Sequence, residues 1–150
     1  MSGLDVSRLT AADCVAALRS YPRRFRAAIA DIGDDEPVDT TEAAAIAEQT
    51  AGTIASAAAA MHRVLTVDSP AIGALAATLR TPASTEAALD HLTLECDALA
   101  DTIERVNVDD WARTATAADG RTITALDVGR EAVKVGADGL HAAEASMRRP

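Results

Sequence analysis

The chain has 150 residues, the size of one ordinary domain that can bury a core without disulfide staples. It is rich in alanine and holds one Trp, one Tyr and one Phe, a composition that favours thin helices at close approach over sheets, whose strands prefer β-branched and aromatic residues. The 14 Lys and Arg against 23 Asp and Glu give a formal net charge of -9, which argues against a nucleic-acid partner because phosphate binding needs a basic face.

No run approaches the roughly 20 apolar residues of a membrane span, so no membrane partner is expected. The opening MSGLDVSRLTAADC carries acids and no apolar stretch of signal-peptide length, and a cytoplasmic protein is expected. Lys134 is the only lysine among the basic residues, which with the wealth of Ala and Asp suggests a GC-rich bacterial genome of the actinobacterial kind. Cys14 and Cys96 are too few and too far apart for a disulfide framework or a CxxC pair. They read as small buried residues, with a reactive thiol as the other reading.

A first helix is expected to start after Thr10, whose hydroxyl can cap the first turn with Asp13 at the capping-box position. It should run to about Ile32 with Val15, Leu18, Phe25, Ile29 and Ile32 inward, kinked near Tyr21 by Pro22, and end at Gly33. The acidic segment DDEPVD is then a loop. A second helix is expected from Thr40 or Thr41 to about Leu65, its inner face holding Ile46, Thr50, Ile54, Met61 and Val64 or Leu65. The tract ASAAAA in it cannot fill a wide core, so either a partner helix approaches closely or a large side chain reaches across. In VDSPAIGALAATLRTPAS, Ser69 and Pro70 can open a short extra helix that Pro82 closes.

The third helix has the cleanest pattern. Leu89, Leu92, Cys96, Leu99, Ile103 and Val106 fall three and four apart, and Ser84 or Thr85 supplies the cap. Leu94 lies opposite this stripe, where an exposed leucine hints at an oligomer contact. In the loop that follows, Trp111 is expected to cap the end of the core and Gly120 to form a turn. The fourth helix spans ITALDVGREAVKVGADGLHAAEASM, with Leu126, Val133, Ala137, Leu140 and Met147 on one face and Gly129 and Gly136 filling it. Four helices of about 20 to 25 residues make rods of about 30 to 37 Å, suited to an all-α up-and-down four-helix bundle with one longer crossover, over residues 1–150 as one domain.

Beside the apolar stripe of the fourth helix, Lys134, Asp138 and His141 stand at i, i+4 and i+7 on one edge. With a carboxylate from the second helix such as Glu48, Asp138 and His141 could hold a divalent ion, with water completing an open site. Lys134 favours instead an internal ion pair with Glu48 or Asp138. His62 reads as a solvent-facing histidine. His91 and Glu95 have metal-ligand spacing but sit off the apolar stripe, so they read as a surface pair. No nucleophile-base-acid arrangement and no glycine-rich phosphate loop is legible, and DGRT lacks the spacing of one.

The order of helices, the Trp in the third loop, the D-G turn and the segment TALDVGREAVKVGADGLHAAE together resemble the DinB/YfiT-like superfamily. The resemblance spans essentially the whole chain and is strongest from Trp111 onward. It implies a DinB-type four-helix bundle, commonly a homodimer. Relatives commonly hold a divalent metal on three histidines, one on helix 2 and two as H-x-x-x-H on helix 4. Some are transferases or isomerases that use mycothiol, bacillithiol or glutathione.

Laid on that pattern, the two helix 4 ligand positions hold Lys134 and Asp138, and the helix 2 position falls at Glu48, or at Gln49 if the register slips by one. None is histidine, and a protonated lysine binds no metal. The expectation is therefore a degenerate site closed by an ion pair among Glu48, Lys134 and Asp138, in a non-catalytic small-ligand or protein binding module with no cofactor. The alternative is a transferase or isomerase using a low-molecular-weight thiol of the mycothiol type, with an altered ligand set of Glu48, Asp138 and His141 around Zn, Ni or Mn.

Overall fold

The computed structural model describes residues 5–30, 39–78 and 80–148. Its elements, in chain order, are α1 (Ala11–Ala30), α2 (Thr41–Thr66), β1 (Ala71–Ile72), α3 (Thr85–Glu104), a 3-10 turn (Val108–Ala112), β2 (Thr114–Ala117), β3 (Thr122–Thr124) and α4 (Ala125–Met147). Ile32, Gly33 and the loop DDEPVD lie outside the described residues, apart from Asp39, which accepts a hydrogen bond from the Thr41 N–H (2.9 Å).

Local chemistry sets the helix starts. The backbone N–H of Thr10 donates to Asp13 (3.0 Å) and that of Asp13 donates back to the Thr10 hydroxyl (3.1 Å), the reciprocal box expected there. Ser84 accepts from the N–H of Ala87 (3.0 Å) at the start of α3. Thr124 and Asp127 repeat the reciprocal box at α4. At α2 the Thr40 side chain makes no cap; its hydroxyl bonds that of Thr85 across the bundle. Pro22 lies inside α1, buried, and the helix continues through it.

Side-chain contacts give the helix directions. Thr40 meets Thr85 and, further along both helices, Glu48 meets His91, so α2 and α3 run parallel. Arg19 pairs with Asp101 and Glu104, and Arg26 with Glu86 and Asp90, so α1 runs against α3. Gly129 faces Cys14, Met61 and Ile103, while Gly136 faces Tyr21 and Gly139 faces Thr50, which sets α4 parallel to α1 and against α2. The order is up, down, down, up. The crossover joins α2 to α3, and because it travels the length of the bundle the two helices it joins point the same way.

That crossover departs from expectation. Ser69 and Pro70 open no helix among the described residues; the chain turns at Ser69 (φ 45°), and the Pro70 carbonyl accepts from the Thr116 N–H (2.9 Å). This draws Ala71–Ile72 into β1, parallel to β2 in the register Ala71 to Thr116 and Ile72 to Ala117. The segment TATAADGRTIT, read as loop, forms an antiparallel hairpin of β2 and β3 in the register Thr114 to Thr124 and Ala115 to Ile123, completing a sheet of order β1-β2-β3. Gly120 turns the hairpin with φ 87°, a conformation glycine adopts without the steric cost of a side chain. Arg113 ties the hairpin to the bundle, donating from Nε to the Val64 carbonyl (2.9 Å) and from Nη2 to that of Val67 (3.3 Å) at the open end of α2.

The core explains how an alanine-rich helix is served. Ala43, Ala44, Ala47, Ala51, Ala57 and Ala60 of α2 are all buried, and the bulk comes from elsewhere, in particular Leu18, Tyr21 and Phe25 of α1. A large side chain does reach across. Tyr21 lies against Gly136, where an added Cβ would land on the ring, and its hydroxyl donates to the Val133 carbonyl (2.8 Å). The expected stripe of α3 is buried from Leu89 to Ile103, and Trp111 is half-buried against the core. Cys14 and Tyr21, which the sequence pattern left off the α1 face, belong to the deep core, whereas Val15 is only half-buried. Among the described residues no helix is long and apolar enough to cross a membrane.

Candidate functional site

The polar edge of α4 forms as its spacing dictates. Lys134 and Asp138 sit one turn apart with Nζ and Oδ2 at 3.8 Å, both side chains substantially exposed. His141 is exposed on the next turn, and His62 is exposed near the end of α2. An exposed pair of this length contributes about 0.3–0.5 kcal/mol, so it is no internal strut.

Glu48 does not join Lys134 and Asp138. It is 6% exposed, and its Oε2 lies 2.8 Å from Nδ1 of His91, while Nε2 of the same ring lies 3.2 Å from Oε2 of Glu95. Arg80 of the crossover approaches the same Glu48 oxygen at 4.0 Å. The interior polar cluster therefore lies between α2 and α3 rather than between α2 and α4. His91 and Glu95, read as a surface pair, are half-buried. They flank the apolar stripe of α3 on the side facing α2, whose alanines let α3 come close enough for the ring to reach Glu48. Each ring nitrogen of His91 thus faces one carboxylate, with the donor and acceptor roles set by the tautomer. Gln49, the other reading of the helix 2 position, is exposed.

A three-histidine metal site does not fit these residues. Among the described residues no group of three or more His, Cys, Asp and Glu side chains is arranged to hold a metal ion, so Glu48, Asp138 and His141 do not converge into the altered ligand set. On α4 stand Lys134, which offers no lone pair while protonated, and the Asp138 carboxylate facing it. The cysteines offer no nucleophile either. Burial pushes the Cys14 thiol up to about 11 and the Cys96 thiol up to about 12, which keeps both protonated at neutral pH.

Lys134 does line a cleft. An open cavity of about 740 Å³ lies between β1 with the segment after it, the β2–β3 hairpin, residues 5–7 and the outer face of α4 from Asp127 to Val135. Its walls mix apolar side chains, among them Leu75, Ile123 and Val135, with charged ones at Arg121, Arg130, Glu131 and Lys134. A cleft of this size, walled by apolar side chains and by seven charged ones, has room for a small molecule. Sequence reasoning misses it because two of its walls, from the crossover and the hairpin, carry no strand signal that periodicity reveals.

The helices run up, down, down, up with a small sheet closing one end, the fold of a YfiT-like four-helix bundle. The chain is similar in structure to YfiT from Bacillus subtilis, a probable metal-dependent hydrolase with an unusual four-helix bundle topology. The TM-score is 0.66 and the identity 13%, with 98% of this chain and 89% of that one covered. No protein-family model and no curated protein matches the chain.

Proposed function

We propose that this protein is a non-catalytic binding module that holds a small organic molecule in the cleft beside α4, on a bundle whose metal site is degenerate. The observation that carries this reading is Lys134. It lines the cleft and faces Asp138 at 3.8 Å, and in the overlay that the resemblance implies it falls at a position where metal chemistry would require a neutral or anionic ligand. The engagement of Glu48 with His91 supports it further, because the helix 2 carboxylate is already committed elsewhere. The module is a cytoplasmic, single-domain protein in this reading, and Leu94, 65% exposed on α3, is the residue that would face a second copy in a homodimer.

The alternative is a divalent-metal- and thiol-dependent transferase or isomerase of the mycothiol type. Its support is the fold, shared with a protein described as a probable metal-dependent hydrolase.

One measurement separates the two. Elemental analysis of protein purified without chelator or affinity metal, followed by titration with zinc, nickel and manganese, gives no stoichiometric metal under the first reading. Near-stoichiometric uptake with micromolar or tighter affinity overturns it.

A further inference from the structure

Given the reading of the cleft as a small-ligand site, on which this inference rests, its charged groups specify the ligand. Most of them already have partners. Arg121 donates from Nε to Asp119 at 2.6 Å. Arg130 donates to Asp127 at 3.3 Å and to the Leu9 carbonyl at 2.9 Å. Asp5 accepts from the Ser7 backbone and hydroxyl at 3.0 and 2.8 Å.

Two of the charged lining groups, Glu131 and Lys134, make no hydrogen bond at all among the described residues. The Glu131 carboxylate has no hydrogen bond or ion pair among the described residues. The Lys134 ammonium has only the 3.8 Å contact with Asp138, too long for a hydrogen bond, so its donors remain available. These residues are three apart on α4, hence neighbours on one helix face. An acceptor and a donor of opposite charge thus stand side by side on the same wall. The half-buried apolar side chains Leu75, Ile123 and Val135 line the cleft around them.

Such a wall discriminates among ligand classes. A simple organic anion drawn to Lys134 meets the Glu131 carboxylate beside it, and a simple cation drawn to Glu131 meets the ammonium. A neutral apolar molecule would bury against two charges it cannot satisfy. A zwitterion satisfies both. We propose that the cleft binds a free α-amino acid with a branched aliphatic side chain. Its carboxylate accepts from Lys134, its ammonium donates to Glu131, and its side chain lies against Leu75, Ile123 and Val135.

The test is isothermal titration of the full chain with L-leucine and with two analogues that each lack one charge, 4-methylpentanoate and 3-methylbutylamine. L-leucine is expected to saturate one site per chain, with each analogue about tenfold weaker or worse. Lys134→Met should weaken L-leucine about tenfold or more and leave 3-methylbutylamine unchanged, while Glu131→Gln should weaken L-leucine and spare 4-methylpentanoate. Neither side chain is in the core, and circular dichroism with an unshifted thermal midpoint verifies that both variants fold. Absence of saturable L-leucine binding, or variants that bind it like the parent, overturns the proposal. If either analogue binds as tightly as L-leucine, the zwitterion is wrong while the small-ligand reading stands; stoichiometric metal in the purified protein overturns that reading itself.

Discussion

The Nδ1 of His91 on α3 lies 2.8 Å from the Oε2 of Glu48 on α2, a polar link between the two parallel helices beside that of Thr40 with Thr85. Glu48 is nearly withdrawn from water, so its charge is tolerated only because the ring and, at 4.0 Å, the Arg80 guanidinium face it.

Replacing His91 by Leu should therefore destabilise the fold by about 2 kcal/mol at pH 7, because it strands a buried carboxylate. Glu48→Gln should cost less, since the amide can still accept from the ring. In urea denaturation the double variant should recover about 1 kcal/mol relative to the sum of the singles. Strict additivity would mean the pair is not coupled.

Gly136 should not tolerate a side chain. A Cβ there would fall on the Tyr21 ring, which is 1% exposed and held by its hydroxyl to the Val133 carbonyl at 2.8 Å, so it cannot swing aside. Gly136→Ala should cost about 1–3 kcal/mol by overpacking, even though alanine is the better helix former. Gly129→Ala is the control. Its added Cβ would sit 3.4 Å from the flexible end of Met61, an ordinary contact, and a thermal midpoint at or above the parent's is expected.

Alkaline unfolding should be driven by buried weak acids. Burial pushes Cys14 from 9.0 to about 11, Cys96 from 9.0 to about 12 and Tyr21 from 10.0 to about 12. In each case the folded state holds the proton more tightly than the unfolded chain. The resulting stabilisation is intact below about pH 9 and is lost as pH rises toward 11 to 12. The urea midpoint should fall across that window, and Cys96→Ala should shift the onset of the fall upward. Consistently, a thiol reagent at pH 8 should leave both cysteines unlabelled in the native protein and label both in denaturant. Rapid native labelling of either would contradict the burial.

Much of the bundle is legible in the sequence because helix periodicity and capping are local. Leu89, Leu92, Cys96, Leu99 and Ile103 are spaced to share one face wherever α3 sits, and Thr10 with Asp13 or Thr124 with Asp127 close their boxes within a single turn. Trp111 and Gly120 likewise take their expected roles at the core's end and in a turn. The same local logic misleads at Ser69 and Pro70, whose helix-start chemistry yields to the pairing of β1 with β2, a contact from far along the chain.

The candidate site divides along the same line. The sequence by itself determined the all-α bundle, the placing of Lys134 and Asp138 one turn apart and the lack of a histidine triad, since each depends on residue type or on spacing within one helix. Only the tertiary structure decided that Glu48 turns to His91, whose other nitrogen meets Glu95, and that crossover, hairpin and α4 enclose a cleft at Glu131 and Lys134. Partner choice across helices depends on their relative direction and rotation. Those were fixed by contacts such as Tyr21 with Gly136 and Thr50 with Gly139, where small residues admit large ones at distances no periodicity encodes.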